Sequence, residues 1–416
     1  MIDSVVFSPT RSEGLSRLSN FVPKAGQDYA KLRNSDFGRG QHKHVSSLSP
    51  YIRHRLISER EVVSASIKTH GFPSCEKFVQ EVFWRSYFKG WLEHNPHIWS
   101  RYKTALNHSL VTLGADSDLN ERYNQALAGQ TNIACFDYWV MELVETGYLH
   151  NHARMWFASI WIFTLKLPWE LGADFFMRNL IDGDPASNTL SWRWVAGLHT
   201  KGKTYLARPD NIARFTNGRF NPEGQLATVA EPLLEAENNM PSPKLAQSDM
   251  ILKEPFLILI HEDDCMPESL LLENEMQEPQ KPAYAIGATA TSFRSPLPVD
   301  DKVHNFSKGA ILNAVERSSD DGLIIEDDWA QALIKTCQKI GVKNIVTAYM
   351  PLGPNADAFA KAKPVLSQAG IKVSQIIRPW DKHVWPYANR GFFKVKKKMT
   401  SILDTLEQQG VQGQLL

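Results

Sequence analysis

The sequence predicts two domains of different class: a mainly α-helical domain over residues 1–220, and an α/β domain with a doubly wound parallel sheet over residues 255–416. Three observations support this. Apolar residues of the first part recur at helical spacing, and strand-like alternation is scarce there. In the last part, short apolar runs alternate with helical patterns, which is typical of a parallel sheet. Between them, residues 221–254 are polar and contain four prolines, which predicts a linker.

Within the predicted helical domain, the clearest helical spacing is that of the large apolar residues between Phe78 and Trp91. Gly147 follows another such stretch and is expected to end it as a C-cap. Residues Met155 to Trp169 are apolar on nearly all sides, which predicts one buried helix. Nine of the twelve tryptophans lie between Trp84 and Trp194, so we expect the chemistry of the protein in its first half.

The α/β pattern is read from strand-length apolar runs and from helix-ending residues. Strands are predicted at residues 256–260, 283–288, 344–349 and 371–377. Helices are predicted from Asp327 to Ile340, where Gly341 ends the helix, from Asn355 to Gln368, with an interruption at Pro364, and from Gly391 to Leu403, with a basic surface. The last dozen residues are predicted to be a loose tail.

Length and composition limit the classes of protein to which this chain can belong. A chain of 416 residues is long enough for two or three domains, and its net charge of +1 means that any DNA-binding surface must be a local basic patch. The four cysteines lie far apart, without the spacing of a metal or redox pair, and fit a reducing compartment. No signal peptide is evident, and the longest apolar run, Met155 to Leu165, is too short to span a bilayer. We expect a soluble, cytoplasmic monomer with no membrane partner.

The stretch from Leu149 to Trp194 is unusually rich in polar and aromatic side chains that can bind a ligand or carry out a reaction. About 45 residues hold imidazoles, an amide, a guanidinium, a thioether, carboxylates and indoles. Such a set suits a large, flat, redox-active cofactor. We expect Arg154 and Asp182 to pair, Asp184 and Asn188 to bind a polar heterocycle, and the indoles to stack or carry electrons.

These residues resemble the FAD-binding domain of the photolyase/cryptochrome family. The family's patterns His-Asn-x-x-Arg-Met, Leu-Ile-Asp-Gly-Asp-x-Ala-x-Asn and Trp-x-Trp match residues 150–155, 180–188 and 192–194 in that order. Upstream, residues 80–85 are similar to the family's Glu-x-x-Trp-Arg helix. Residues 46–50 are similar to its phosphate loop, with Val45 where a threonine is usual.

The domain order differs from that of the family, whose members usually carry the α/β domain first. Here the α/β domain comes last, and residues 390–395 resemble the end of the family's α/β domain. The resemblance therefore predicts a circular permutation. An unrelated appended domain is the alternative.

The resemblance implies bound FAD and leaves the antenna chromophore undetermined. The residues implied to hold FAD are Tyr29, Ser46, Ser47, Leu48, Ser49, Arg85, Asn151, Arg154, Asp182, Gly183, Asp184 and Asn188. Asn188 would face the flavin N5 atom, where an amide favours the anionic reduced form. Trp192 and Trp169 correspond to two members of the family's electron-transfer chain. A third tryptophan near residue 116 is absent, and Trp99, Tyr102 or Tyr123 remain open as substitutes.

The resemblance also implies light-driven repair of cyclobutane pyrimidine dimers, a carbon–carbon lyase reaction whose partner is DNA containing such dimers. The implied catalytic residues are Glu81, Trp84, Asn151, Met155 and Trp194. Glu81 and Trp84 share a helix face, where they would hydrogen-bond and stack on a flipped lesion. Asn151 and Met155 favour cyclobutane dimers over six-four lesions.

A cryptochrome-like blue-light photoreceptor without repair activity is the alternative. His152, which stands where a DNA-contacting arginine is common, favours it, as do the neutral net charge and the domain order. A light-independent flavin oxidoreductase is a third possibility, but no nicotinamide fingerprint supports it. Residues 197–204 fit the P-loop expression literally but follow no buried strand. We expect that segment to place Lys201, Lys203 and Arg208 near DNA phosphates instead.

Overall fold

The computed structural model describes residues 7–236, 242–250, 254–272, 282–319 and 322–411. The first part of the chain is helical. Its helices are α1 (Arg11–Phe21), α2 (Gln27–Leu32), α3 (Ser49–Arg53), α4 (Glu59–His70), α5 (Phe72–His94), α6 (His97–Ala115), α7 (Ser117–Leu127), α8 (Ala134–Thr146), α9 (Asn151–Ser159), α10 (Trp169–Asn179), α11 (Pro185–Val195) and α12 (Pro209–Phe215).

The last part is α/β. Its strands are β1 (Phe256–His261), β2 (Tyr284–Ala288), β3 (Leu323–Ile325), β4 (Asn344–Ala348) and β5 (Lys372–Ile376). Its helices are α13 (Pro267–Leu272), α14 (Asp301–Glu316), α15 (Trp329–Ile340), α16 (Pro354–Gln368), α17 (Pro379–Val384), α18 (Phe393–Lys396) and α19 (Met399–Val411). The described part of residues 221–254 contains no helix and no strand.

The five strands form one parallel sheet in the order β3-β2-β1-β4-β5. This confirms the predicted doubly wound class, since the strand order reverses between β1 and β4. All six residues of β1 are buried, as a central strand covered on both faces requires. The four predicted strands are present, whereas β3 and α14 were not predicted. The circular permutation and the exact domain boundaries stay predictions.

The prediction of one helix from Met155 to Trp169 is wrong. Helix α9 ends at Ser159, a π-helical turn covers Ile160–Thr164, and α10 begins at Trp169. Lys166 adopts a left-handed φ of 53°, and Pro168 has no N–H to donate, so the chain cannot continue as an α-helix there. The break turns α10 back against α9 and α11.

The C-terminal predictions need three further corrections. Helix α16 runs through Pro364, which is exposed, so that water can reach the carbonyl that the proline cannot bond. The predicted helix over 391–403 is two helices, α18 and α19. Helix α19 continues to Val411, so most of the predicted tail is helical because buried Ile402 and Leu406 anchor it. The rest of that tail, 412–416, lies outside the described residues.

The two parts share one hydrophobic core. A single cluster of buried side chains includes Tyr51 and Phe83 from the helical part together with Ile258 from β1 and Trp385 near the C-terminus. Gly90 in α5 allows this approach, because a Cβ at that position would lie 2.7 Å from Trp385 Cδ1. The carboxyl edge of the sheet therefore lies directly against α3, α5 and α11. In the described residues, no helix is long and apolar enough to cross a membrane.

Candidate functional site

A carboxylate at the start of α11 lies at the centre of the site. Asp184 is buried, and its side chain accepts the Ser187 backbone N–H at 2.8 Å, which caps the helix. Arg85 donates to the same carboxylate at 3.1 Å, and Lys89 lies 3.8 Å away. Burial would raise the pKa of Asp184, but the charges of Lys89 and Arg85 outweigh burial and lower the pKa. Arg85 also donates to the Ser49 carbonyl at 3.4 Å, so one guanidinium joins the predicted phosphate loop to this turn.

The predicted pair of Arg154 and Asp182 is present. Arg154 Nη2 donates to Asp182 Oδ2 at 2.8 Å, while its Nε donates to the Leu149 carbonyl at 2.8 Å. The guanidinium also lies 5.5 Å from the centre of the Tyr148 ring. Asp182 Oδ1 is buried and has no hydrogen-bond partner among the described residues, so one acceptor remains available to a ligand.

The loop that precedes α3 has an ordered backbone. Ser46 Oγ accepts the Leu48 N–H at 3.3 Å, and Ser47 has a left-handed φ of 49°. Leu48 is fully buried and anchors the loop, whereas Ser46, Ser47 and Ser49 are half-buried. The three hydroxyls therefore lie at an accessible edge of the core, where they can reach a polar ligand.

Three further residues predicted to bind the cofactor are buried, and each has a contact within the protein. Gly183, between the two aspartates, directs its carbonyl to Arg53 Nε at 2.9 Å. Asn188 is buried on α11, and its side-chain N–H donates to the Ala173 carbonyl at 2.8 Å. Tyr29 is buried against Phe78 at 5.1 Å between ring centres, and burial raises the pKa of its hydroxyl.

The two predicted lesion-binding residues of α5 already have partners within the chain. Glu81 forms an ion pair with Arg33, and burial raises the pKa of Glu81 although Arg33 opposes that shift. One face of Trp84 is covered by Phe392, whose ring stacks 3.9 Å away at an angle of 11°. The sequence did not indicate the Phe392 contact.

The remaining predicted substrate residues differ in exposure. Asn151 is exposed at the first position of α9, and Met155 is half-buried one turn later. Trp194 stacks on Tyr205 at 5.5 Å between ring centres and an angle of 27°. Trp194 and Trp84 thus belong to separate ring pairs.

The predicted electron-transfer rings form a partial path. Trp192 is buried edge-on to Phe176 at 5.1 Å, and its ring lies against Gly172, one turn along α10 from Trp169. Trp169 lies 5.7 Å from the Tyr102 ring centre, and Tyr102 lies 5.4 Å from that of Trp99. Tyr123 contacts Trp161 instead, at 6.1 Å. Of the three substitutes left open, Tyr102 and Trp99 continue the path beyond Trp169.

Sequence reasoning missed a buried ionic cluster where β1 meets α3. Arg53 is fully buried, pairs with Asp263, and donates to the Glu262 carbonyl at 3.2 Å. Arg55 likewise pairs with Asp264 at 3.2 Å. The available signal was the acidic run directly after a buried strand, at the edge of a doubly wound sheet where polar groups meet.

The segment over residues 197–204 has neither a strand before it nor a helix directly after it, so it lacks the context that a P-loop requires. His199 packs against α5, with its ring 4.7 Å from Trp91 and its Nε2 3.2 Å from the Tyr87 hydroxyl. Lys201 and Lys203 are exposed on the same loop.

Comparison with known proteins finds a similarity in the helical part of the chain. A family model described as the FAD binding domain of DNA photolyase matches residues 78–234. A deoxyribodipyrimidine photo-lyase of Vibrio cholerae is 26% identical over 230 residues, covering 54% of this chain and 46% of the relative. One from Streptomyces griseus is 31% identical over 201 residues, covering 45% and 42%. The chain thus spans less than half the length of these relatives.

Solved structures show the same neighbours at low overall similarity. A class III photolyase from Agrobacterium tumefaciens has 25% identity and a TM-score of 0.43, with 51% of this chain and 44% of that chain covered. A cryptochrome from Synechocystis has 23% identity and a TM-score of 0.42, with 52% and 45% covered.

The observed donors and acceptors fit the cofactor of that family. FAD carries phosphates, which suit Arg85 and the serine hydroxyls of the loop, and it carries N–H and O–H donors, which suit the unpaired Asp182 Oδ1. The set is largely buried, as binding a flat heterocycle requires. Residues 78–234 of this chain therefore match the FAD binding domain of DNA photolyase.

Proposed function

We propose that this protein repairs cyclobutane pyrimidine dimers in DNA by light-driven electron transfer. The observation that carries the proposal is the pair of arginine–aspartate contacts at the proposed FAD site. Arg85 joins the phosphate loop to Asp184, while Arg154 orients Asp182 with one acceptor left over. These contacts would hold a flavin in place and leave Asp182 Oδ1 available to accept a hydrogen bond from it.

When bound, reduced FAD supplies the photoexcitable electron donor. That chemistry would split the two carbon–carbon bonds between the bases with no net oxidation or reduction, and Arg85, Arg154 and Asp182 would hold the FAD. The protein contributes position and exclusion of water. The side chains of Leu48 and Trp192 are buried and would limit access of water to a bound flavin from the core side.

The lesion would be held by residues of α5 and α9. Glu81 exchanges Arg33 for the N–H edge of a base, and its raised pKa reflects a partly desolvated carboxyl that gains from such a donor. Trp84 supplies the stacking surface that holds an extruded base. Met155 is half-buried, and its polarizable sulphur would pack against a thymine of the lesion.

A photoreceptor that binds flavin and repairs nothing is the second candidate. It is favoured by one specific observation: both lesion-binding groups on α5 are engaged, Glu81 with Arg33 and Trp84 with Phe392. In that function the two contacts persist. In the repair function the lesion competes with them.

The deciding experiment is a repair assay with photoreduced, FAD-loaded protein, an oligonucleotide that contains one thymine dimer, and blue light. Repair is measured as restored bases by chromatography, with a dark sample as the control. The proposal expects light-dependent restoration. Stable flavin binding without restoration would instead support the photoreceptor.

Variants locate the pocket. Glu81→Ala removes a charge-assisted hydrogen bond worth about 1.5–3 kcal/mol, and Trp84→Ala removes stacking worth about 1–3 kcal/mol. We expect either to weaken dimer binding or repair roughly tenfold or more, since about 1.4 kcal/mol is a factor of ten. Flavin content should persist, because Arg154 and Asp184 remain. A matched control is Val111→Ala, a truncation of an exposed side chain on α6. Equal repair by all variants would place the lesion elsewhere.

A further inference from the structure

The C-terminal segment carries an exposed basic and aromatic surface, which we call the C-terminal patch and define as Arg390, Phe393, Lys394, Lys397 and Lys398. All five side chains are exposed, and Phe393 is 75% exposed. Residues 390–398 hold five positive charges, four of them in the patch, which is a strong local excess in a chain whose net charge is +1. The patch lies outside the residues matched by the family model.

Among the described residues, no carboxylate neutralises the charges of the patch. In the part of the chain that the structure describes, none of its four cations forms an ion pair. Lys394 donates to the neutral Asn389 side chain at 2.9 Å, and Lys398 lies over the Tyr387 ring at 5.7 Å. Lys396, between them, does pair with Glu76 at 3.4 Å. The segment therefore uses one lysine for its own fold and presents the others to solvent.

The patch is held firmly next to the proposed lesion site. On the reverse side of the segment, Val395 and Met399 are buried in the core, and Phe392 stacks on Trp84. Phe393, the exposed ring, is the next residue after Phe392. The same short segment thus carries the exposed patch on one side and the ring that covers Trp84 on the other.

The chemistry of the patch fits nucleic acid. Lysine and arginine side chains neutralise backbone phosphates, and an exposed ring among them offers a stacking surface to an unpaired base. Interfacial membrane helices combine a basic face with a wide apolar face. Helix α18 has only four residues and presents a single exposed ring, so it lacks that apolar face.

We propose that the C-terminal patch binds the DNA strand beside the lesion, with its cations on phosphates and Phe393 stacked on a base displaced from the duplex. This inference rests on the proposed function in so far as the partner is DNA. It adds a surface outside the flavin domain that would bind the phosphates and one base of the DNA.

The test is dark binding of FAD-loaded protein to a fluorescent duplex with one thymine dimer, measured by anisotropy at several salt concentrations. The variant Lys394→Gln/Lys397→Gln/Lys398→Gln is compared with Lys335→Gln/Lys339→Gln/Lys343→Gln, whose lysines are exposed on or just after α15. Each lost phosphate contact should lower the magnitude of the slope of log affinity against log salt by about 0.9. We therefore expect this slope to fall in magnitude by about two to three in the patch variant and to stay unchanged in the control.

Phe393→Ala separates stacking from charge. We expect it to weaken binding about tenfold at unchanged salt slope, since base–aromatic stacking has that order of magnitude. Its effect on stability should be small because the ring is exposed. Retained flavin content and unfolding midpoint verify that each variant is folded.

The outcomes distinguish this inference from the proposed function. If the parent binds DNA and the patch variants bind it with equal affinity and slope, the patch inference is wrong, whatever the repair assay shows. If the patch variants lose affinity but the parent repairs nothing, the patch stands and the repair function fails. Binding of the patch to phosphatidylserine vesicles rather than to DNA overturns the inference as well.

Discussion

Replacement of Arg53 tests the ionic contact between the FAD site and the sheet. Its guanidinium is fully buried and donates to the carbonyls of Gly183 at 2.9 Å and Glu262 at 3.2 Å, besides its pairing with Asp263. Burial alone would raise the pKa of Asp263, but Arg53, together with the weaker contributions of its other partners, outweighs burial and holds the pKa below its usual range. Arg53→Met keeps much of the length and removes the charge.

The expected cost is large. Loss of one partner from a buried ion pair typically costs about 3–5 kcal/mol, because the other charge stays buried without compensation. Asn355 keeps its bond to Asp263 at 2.6 Å, which places the expected loss at the lower end, about 3 kcal/mol. Arg53→Met/Asp263→Leu removes both charges and should be less destabilised than Arg53→Met alone.

The assay is guanidinium unfolding followed by tryptophan fluorescence, with bound flavin measured in parallel. Lys308→Met is the control, since its pair with Glu326 is more than half exposed and should contribute no more than about 1 kcal/mol. Flavin retention should fall with Arg53→Met because Gly183 lies between Asp182 and Asp184. A loss below about 1 kcal/mol for Arg53→Met, or a double variant worse than the single one, would refute the reasoning.

Three other substitutions test the same structure. Gly172→Ala should destabilise the protein by about 1–3 kcal/mol, because its Cβ would overlap the Trp192 ring, whereas Gly114→Ala, which meets no neighbour on α6, should be neutral or stabilising in the same unfolding assay. Burial, assisted by Arg193, lowers the pKa of His199 to about 4 from 6.5, so the neutral form is favoured in the fold. The contribution of neutral His199 to the free energy of unfolding is therefore complete above pH 6.5 and is lost as the pH falls towards 4. Stability measured across that range should fall less in His199→Gln, and identical acid profiles would contradict the assignment. Trp192→Phe should slow photoreduction of the bound oxidised flavin, followed by absorbance, while dark DNA binding stays nearly unchanged; an equal rate would mean that another route carries the electron.

Local patterns in the sequence were sufficient for the fold class and for the contact between Arg154 and Asp182. The apolar run at 256–260 becomes a central strand, as predicted, because a buried parallel strand is apolar at every position. Gly147 ends α8 with a left-handed φ of 68°, also as predicted. The pairing of Arg154 with Asp182 followed from two motifs only 28 positions apart.

The tertiary structure alone decided how the two parts meet. Arg53 and Asp263 are 210 positions apart, and no periodicity indicates that α3 will face the carboxyl edge of the sheet. The break after Thr164 was missed because an all-apolar segment has no polar face to mark where a helix ends. These features depend on long-range packing, which sequence spacing does not encode.

The sequence by itself determined which residue types are available for flavin chemistry, because the motifs hold those residues within a few helical turns of one another. It could not determine which of them are already engaged. That Phe392 covers Trp84 and that Arg33 holds Glu81 follows only from the folded chain. The physical reason is that a contact between distant segments depends on the shape of the whole shared core, whereas a motif depends on its own backbone alone.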